Sequence, residues 1–283
     1  IFYCGAAAKS GKVAPVRSTR IYFVDIAQEY NDPIYVHVGG GNCSRDQGTE
    51  QCVSDKRAWA IEELAKIGWR RPKGNDFDTI FDIGVPVLYR DANRLGADKA
   101  LAVEHTIVGS LGNIWKEAAK RGFGGEMKDG SNWLSDFQKW TFTDGDKEND
   151  RGDTAGVSFE FWTGYKDFDV RWEYDRASNQ YSRFTGGQPH LDLENNQQLK
   201  TSNVVIQFVK EEGPIDTNKH MLYQVLGKGN ALVFQNGKPI EVIWEKAKPE
   251  SRTVFKDKKG KEISFVRGPI WVEIVPANNS IEY

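Results

Sequence analysis

The sequence lacks any run of about 20 apolar residues, so no segment of it is expected to cross a membrane as a helix. It also lacks the GxSxG nucleophile elbow, the P-loop, the HExxH zinc motif and a GxGxxG loop between a strand and a helix. The common signatures of serine hydrolases, nucleotide-binding proteins and zinc proteases are therefore missing. On this basis we predict neither a cofactor nor a bound metal.

The chain has little net charge, because 38 basic residues are set against 40 acidic ones, which gives −2 at neutral pH. It has no general attraction to nucleic acid or to an anionic membrane, and its basic residues are dispersed. We therefore expect no nucleic-acid partner. At 283 residues, with 39% apolar and 28% charged residues, it is a globular chain of one large or two ordinary domains.

Only three cysteines are present, and two of them bracket a polar loop. Cys43 and Cys52 enclose residues 44–51, and a disulfide between them would place the protein in an oxidising, extracytoplasmic compartment. Two free thiols are the alternative, while a metal site would need further ligands. Cys4 would then remain single.

The chain begins without methionine, and Ile1-Phe2-Tyr3-Cys4 is typical of the end of an apolar strand. We expect that upstream sequence is missing, and an anchor or export signal would lie there. Membrane attachment is accordingly expected only through an anchor absent from this chain.

In the first half, apolar residues at helical spacing predict helices over about residues 19–30, 54–67 and 106–120. Ser18 or Thr19 is expected to cap the first helix, and Gly122 to end the third. The apolar segment 34–38 predicts a buried parallel strand. This alternation of helices and strands is typical of an α/β domain.

The second half follows a charged segment, 143–153, which we interpret as a linker or an exposed crossing. Beyond it apolar residues alternate with period two, and Asn236-Gly237 predicts a tight hairpin. Many short strands at this spacing indicate an antiparallel β-rich domain. We therefore predict an α+β fold, with an α/β domain over 1–147 and a β-rich domain over 153–283.

Six segments resemble the YerB-like family, bacterial proteins classed as lipoproteins whose two domains carry domain-of-unknown-function labels. The segments are Ala14–Arg20, His37–Gly40, Glu104–Thr106, Tyr181–Asp192, Asn203–Gln207 and Gly268–Pro276. The resemblance covers nearly the whole chain. It implies an α/β domain without its front segment, a β-rich second domain, and export with anchoring to the envelope. It carries over no catalytic residue.

Arg17 and Arg20 lie at the predicted start of the first helix, where cations are disfavoured and backbone N–H groups are free. Two guanidinium groups there, with Ser18 and Thr19 between them, would bind a phosphate, a carboxylate or an acidic cell-wall polymer. The alternative is that the arginines pair with internal carboxylates such as those of Asp25, Asp82 or Asp91.

Three residues are weak candidates for catalysis. His105 follows Glu104 just before the predicted helix cap at Thr106, where a neutral imidazole is able to act as a base. His37, at a strand end, would complete a set of two histidines and one carboxylate if the fold brought it near. The alternative is that these histidines only satisfy backbone groups.

Two further clusters are read as structural. Tyr181, Arg183 and His190 would form a ligand-contacting rim, but a hairpin that carries polar side chains is the preferred interpretation. The aromatic residues between positions 133 and 142 would form a carbohydrate platform, but packing between the domains is preferred.

Taken together, these features predict an extracytoplasmic, envelope-associated protein that binds an anionic small molecule or a cell-wall polymer. Two rivals stay open. One is a cell-wall-directed hydrolase that uses His105 and Glu104, and the other is a structural protein that binds a protein partner. The sequence does not decide whether the protein is an enzyme.

Overall fold

The computed structural model describes residues 10–41, 55–99, 101–123, 137–216 and 219–283. Cys4, Cys43 and Cys52, and with them the predicted disulfide, lie outside these ranges. The chain divides into two compact units. The first takes the described residues up to Gln138 with Gly213–Leu222 and Pro249–Ser251, and the second takes Lys139–Glu212, Tyr223–Lys248 and Arg252–Tyr283.

The first unit mixes short helices with short strands. In the described ranges these are α1 (Ile21–Ala27), α2 (Ala60–Lys66), α3 (Leu111–Arg121), β1 (Lys12–Val13), β2 (Tyr35–His37), β3 (Asp76–Asp78), β4 (Leu88–Arg90) and β5 (Ile107–Ser110). Strands β1, β5 and β4 form an antiparallel sheet in that order. Strands β2 and β3 pair in parallel, as the segment 34–38 predicts.

Two apolar clusters stabilise this unit. One gathers Phe77, Leu88 and Ile107 from the strands with Ile114 and Ala118 of α3. The other joins the buried residues of α1 to those of α2, namely Val24, Ala27, Ala60 and Leu64, with Trp69. The buried residues of each helix are three or four positions apart, so each helix presents one apolar face to its cluster.

Three predicted helix starts are wrong. Helix α2 begins only at Ala60, because Lys56–Ala58 form a separate 3₁₀ turn capped by Asp55. Helix α1 begins only at Ile21, with Arg20 at the N-cap and no side-chain capping bond, so neither Ser18 nor Thr19 caps it. The third helix begins at Leu111, because residues 107–110 form a strand that pairs with both β1 and β4. Its predicted end is confirmed, since Gly122 adopts φ 88°, a left-handed conformation that glycine tolerates.

From Phe142 onward the described chain consists mainly of strands. They are β6 (Phe142–Thr143), β7 (Gly156–Phe159), β8 (Val170–Asp175), β9 (Gln180–Thr185), β10 (Gln188–Pro189), β11 (Leu191–Asp192), β12 (Gln197–Gln198), β13 (Lys200–Thr201), β14 (Asn203–Val209), β15 (Glu211–Glu212), β16 (Leu222–Tyr223), β17 (Gly227–Gln235), β18 (Lys238–Lys246), β19 (Val254–Lys256), β20 (Phe265–Val266), β21 (Ile270–Pro276) and β22 (Ile281–Glu282). The predicted α+β class with a β-rich C-terminal region is confirmed.

The second unit is built on two sheets. One has the order β10-β9-β8-β7-β22, with β13 also on β9, and the other has the order β19-β18-β17-β14-β21. Within them every pair is antiparallel except β14 with β21. Trp172 and Tyr181 of the first sheet share a core with Ile206, Phe234 and Val275 of the second, so the sheets form a sandwich.

The predicted hairpin at Asn236-Gly237 is confirmed, because these residues join β17 to β18 with φ of 54° and 66°. The charged segment 143–153 is an exposed crossing rather than a linker, because it is largely exposed and belongs to the second unit. Its Gly152 N–H donates to the carbonyl oxygen of Asn236 at 2.8 Å. The guanidinium of Arg151 donates to the carbonyl oxygens of Asp146 and Ala177 at 2.9 and 3.0 Å.

Candidate functional site

The segment Arg17–Arg20 runs beside the end of β2 rather than inside a helix. The N–H of Val38 donates to the carbonyl oxygen of Arg17 at 3.1 Å, and the N–H of Thr19 donates to that of Gly39 at 2.9 Å. Because side chains of an extended segment alternate in direction, neighbouring residues here meet different surroundings. The four predicted ligand-binding residues therefore do not form one surface.

The side chains of Thr19 and Arg20 bond to other groups of the first unit. Thr19 is 1% exposed, and its Oγ1 lies 2.5 Å from the phenol oxygen of Tyr35, whose pKa burial raises. The half-buried guanidinium of Arg20 donates to the carbonyl oxygens of Ser18 and Thr19 at 3.3 and 2.9 Å. A Cβ on residue 41 would lie only 2.3 Å from the central carbon of this guanidinium, so Gly41 leaves the room that Arg20 occupies. Burial lowers the pKa of Arg20.

Arg17 is different, since it is exposed and reaches the turn Val103–His105. Its guanidinium nitrogen lies 2.8 Å from Nε2 of His105. Arginine can only donate, so this nitrogen of His105 is the acceptor in the contact. A backbone bond holds Arg17 close to this turn, because the N–H of the preceding Val16 donates to the carbonyl oxygen of Ile107 at 3.0 Å.

Two more arginines surround the same turn. Arg90 donates to the carbonyl oxygen of Val103 at 2.7 Å and to Oγ1 of Thr106 at 2.8 Å. Arg94 donates from Nε and from Nη2 to the carbonyl oxygen of His105, each at 3.3 Å. We call Arg17, Arg90, Arg94 and His105 the cationic turn.

Every contact of the cationic turn given above is to an uncharged group. Within the described part of the chain, none of its three arginines forms an ion pair with a carboxylate. Glu104 lies in the same turn and is exposed. In these ranges the three permanent positive charges therefore have no ion-paired counter-charge, and those of Arg17 and Arg90 are exposed.

His37 belongs to a buried ionic cluster, which we define as His37, Arg70, Asp76 and Asp78. Nε2 of His37 lies 2.5 Å from Oδ1 of Asp76, and Nδ1 lies 2.9 Å from the carbonyl oxygen of Gly39. Arg70 donates to Asp76 and Asp78 at 2.9 and 3.0 Å. Both aspartates are fully buried, and His37 is 2% exposed.

These contacts leave no free ring nitrogen on His37. The imidazole faces an acceptor on each side and shares no hydrogen-bond partner with His105. The structure therefore does not gather His37, Glu104 and His105 into one polar site. In the described ranges no group of three or more histidine, cysteine or carboxylate side chains is arranged to hold a metal ion.

The residues around Arg183 form a core ion pair, not a rim. Arg183 is 6% exposed, donates from Nε to Glu273 at 3.1 Å, and lies over the ring of Trp271 at 4.9 Å. A terminal guanidinium nitrogen is 2.6 Å from Nδ1 of His190. Burial, with the positive charge of Arg183, lowers the pKa of His190. Tyr181, the third residue of the alternative rim interpretation, is fully buried.

Sequence reasoning missed Arg70, Asp76 and Asp78 in the buried ionic cluster, and Arg90 and Arg94 in the cationic turn. One local signal existed for the aspartates: Asp76-Phe77-Asp78 puts two carboxylates on one face of a strand. For Arg90 and Arg94 no such signal exists, because their partner is a turn more than ten residues further along the chain.

The fold and the site define a two-domain α+β protein with an exposed cationic turn in its first domain. Residues 1–123 match the model of the family described as "Protein of unknown function (DUF3048) N-terminal domain", and residues 157–272 match that of its C-terminal domain. The chain belongs to this family, the YerB-like proteins.

A curated relative, "Putative lipoprotein YerB" of Bacillus subtilis (strain 168), is 26% identical over 266 residues, which are 93% of this chain and 67% of the relative. A crystal structure of the YerB protein from Bacillus subtilis has the same fold, with a TM-score of 0.68 and 23% identity. That match covers 96% of this chain and 78% of the solved one. None of the helices in the described ranges is both long and apolar enough to cross a bilayer.

Proposed function

We propose that this protein is an extracytoplasmic, envelope-associated protein that binds an anionic ligand or cell-wall polymer at its cationic turn. The location is supported by the description of its Bacillus subtilis relative as a lipoprotein. The binding is supported by one observation above all: Arg17, Arg90 and Arg94 meet at one turn through contacts with uncharged groups.

The geometry suits an anion for two reasons. Each guanidinium uses part of its five N–H donors on a carbonyl, a hydroxyl or an imidazole, so it is held in place and keeps donors for a ligand. Carboxylates and phosphates accept two parallel bonds from such a group. Arg17, Arg90 and His105 are exposed, so an extended polymer has access to the turn.

The rival hydrolase gains no support from a specific contact. It would need His105 and Glu104 to work with a further polar group, and His37 is enclosed in the buried ionic cluster instead. The other rival, a structural partner-binding protein, differs from our proposal in having no small anion as ligand. It is therefore the outcome expected if the following experiment fails.

The test is a thermal-shift and calorimetric titration of the full chain with poly(glycerol phosphate), polyphosphate and polyglutamate. A ligand that binds only the folded state raises the melting temperature by mass action. We expect such a rise for the parent and none for the double variant Arg17→Gln, Arg94→Gln. The matched control is Arg57→Gln, which removes an exposed charge of the same unit that is paired with Asp55.

The control variant should keep the full response, because Arg57 lies outside the cationic turn. No response of the parent to any of the three polymers would overturn the proposal. So would an equal response of the parent and the double variant, since binding would then use other groups.

A further inference from the structure

A cleft of about 430 Å³ lies in the second unit, at one end of the five-stranded sheet. It opens where β14 and β17 separate. Their pairing begins at Val204 with Phe234 and ends at Gln207 with Ala231, whereas β17 stays paired with β18 as far as Gly227. The volume falls in the range of about 300–1,000 Å³ that is usual for small-molecule sites.

One hydrogen bond spans the opening, from β18 to β14. The indole N–H of Trp244 donates to the carbonyl oxygen of Phe208 at 2.8 Å, so this group is satisfied although the ladder has ended. Gly229 makes room for the contact, since a Cβ there would lie 2.6 Å from the indole nitrogen and 3.0 Å from that carbonyl oxygen. The opening is therefore a built feature of the sheet.

The lining is cationic and rich in carboxamides. It includes Lys210, Gln224, Leu226, Lys228, Asn230 and Asn279, and no carboxylate is among the lining residues in the described ranges. The ammonium nitrogen of Lys210 lies 3.7 Å from a carboxylate oxygen of Glu212. Lys228 forms no ion pair within the described part of the chain. The amide nitrogen of Asn279 donates to the carbonyl oxygens of residues 160 and 161, which orients that side chain.

We infer that this cleft binds a sugar ring that carries one negatively charged group. The ammonium groups of Lys210 and Lys228 pair with the charge, and the carboxamides of Gln224, Asn230 and Asn279 bond to hydroxyl or acetamido groups. Leu226 supplies an apolar wall for the C–H face of a ring. This site is separate from the cationic turn and does not depend on the proposed function.

The inference is tested on the full chain by calorimetry and by backbone amide NMR. The probes are N-acetylmuramic acid, glucose 6-phosphate, N-acetylglucosamine and inorganic phosphate. We expect the two charged sugars to bind at least tenfold more tightly than the neutral sugar or phosphate, and to shift amide signals of residues 224–230. Preference for one charged sugar over the other tells whether the group is a carboxylate or a phosphate.

Variants locate the binding. Lys228→Gln should weaken the binding of the charged sugars about tenfold, the factor expected for one hydrogen bond to a charged group. Lys259→Gln, an equal loss of charge at an exposed turn of the same unit, should leave it unchanged. Arg17→Gln with Arg94→Gln should also leave it unchanged, which separates this site from the cationic turn.

Three results would overturn the inference. The first is equal binding of the neutral and the charged sugars, and the second is binding of inorganic phosphate as tight as that of the charged sugars. The third is a Lys228→Gln variant that is folded, by its amide spectrum, and binds as the parent does.

Discussion

The guanidinium of Arg17 donates to Nε2 of His105 at 2.8 Å across 88 positions of sequence. A backbone bond brings the two segments together, since the N–H of Val16 donates to the carbonyl oxygen of Ile107 at 3.0 Å. The contact orients the arginine without neutralising it, because an imidazole brings no negative charge. The proposed anion binding rests on this feature, which separates Arg17 from Arg20.

We predict that Arg17→Gln affects anion binding, whereas Arg20→Gln affects stability. Arg17→Gln should change the free energy of unfolding by less than about 0.5 kcal/mol, as for other surface positions, and weaken anion binding. Arg20→Gln should lower it by about 1–2 kcal/mol, because the carbonyl oxygens of Ser18 and Thr19 lose their donor and the packing on Gly41 is lost. Urea denaturation and the polymer titration measure the two effects. An Arg20→Gln protein of parental stability that no longer binds the polymers would contradict this assignment.

A second prediction concerns the buried ionic cluster. Asp76→Asn removes the buried charge that faces both His37 and Arg70, so Arg70 keeps only Asp78 as a carboxylate partner and the contact with Nε2 of His37 loses its charged acceptor. Breaking a buried pair in this way typically costs about 3–5 kcal/mol of unfolding free energy. Denaturant unfolding of Glu104→Gln, a charge loss at an exposed site of the same unit, should show a change below about 0.5 kcal/mol. Similar stability of the two variants would show that the cluster is not a determinant of folding.

A third prediction concerns pH. Burial and the neighbouring charge of Arg183 lower the pKa of His190 below its ordinary value of 6.5 in the folded state. The unfolded chain therefore binds a proton more readily, so the folded state loses stability as the pH falls below about 6.5. His190→Asn should reduce the slope of unfolding free energy against pH between about pH 7 and about pH 5. An unchanged slope in this variant would assign the pH dependence to other groups.

A fourth prediction concerns the segment 143–153. Oδ1 of Asn236 accepts from the N–H of Asp146 at 3.1 Å and from the amide of Asn179 at 2.8 Å, while the backbone of Asn236 binds Gly152. Asn236→Gly keeps the positive φ of the hairpin but removes the side-chain acceptor. We expect trypsin to cut faster after Lys147 and Arg151 in this variant than in the parent, as followed by mass spectrometry. Rapid cutting there in the folded parent would instead support a linker.

Some of the fold follows from sequence alone, because the cause is local. Asn236 and Gly237 adopt positive φ readily, as a two-residue hairpin turn requires. The residues on either side alternate in the pattern of strands, so the hairpin is predicted without knowledge of the rest of the sheet. Gly122 likewise ends α3 by its own conformational freedom. The membership in the YerB-like family also follows from motifs in the sequence.

Other features were decided by tertiary contacts. Ile107 lies at helical spacing from Leu111 and Ile114, yet it is in a strand because β1 and β4 supply hydrogen bonds on both sides of β5. Local spacing cannot tell these states apart when a short apolar segment fits both periods. The charged segment 143–153 is similar, since its partners at positions 176–179 and 236–237 are remote in sequence.

The candidate site shows the same division. Sequence alone singled out Arg17 and His105 as chemically unusual, each from its own neighbours, but it gave no reason to place them together. Their contact, and the arrival of Arg90 and Arg94 at the same turn, depend on the pairing of segments far apart in the chain. Local composition determined which groups carry charge. Only the tertiary structure decided which charges are neutralised, as in the buried ionic cluster, and which face solvent, because that depends on distances between residues that the chain order does not contain.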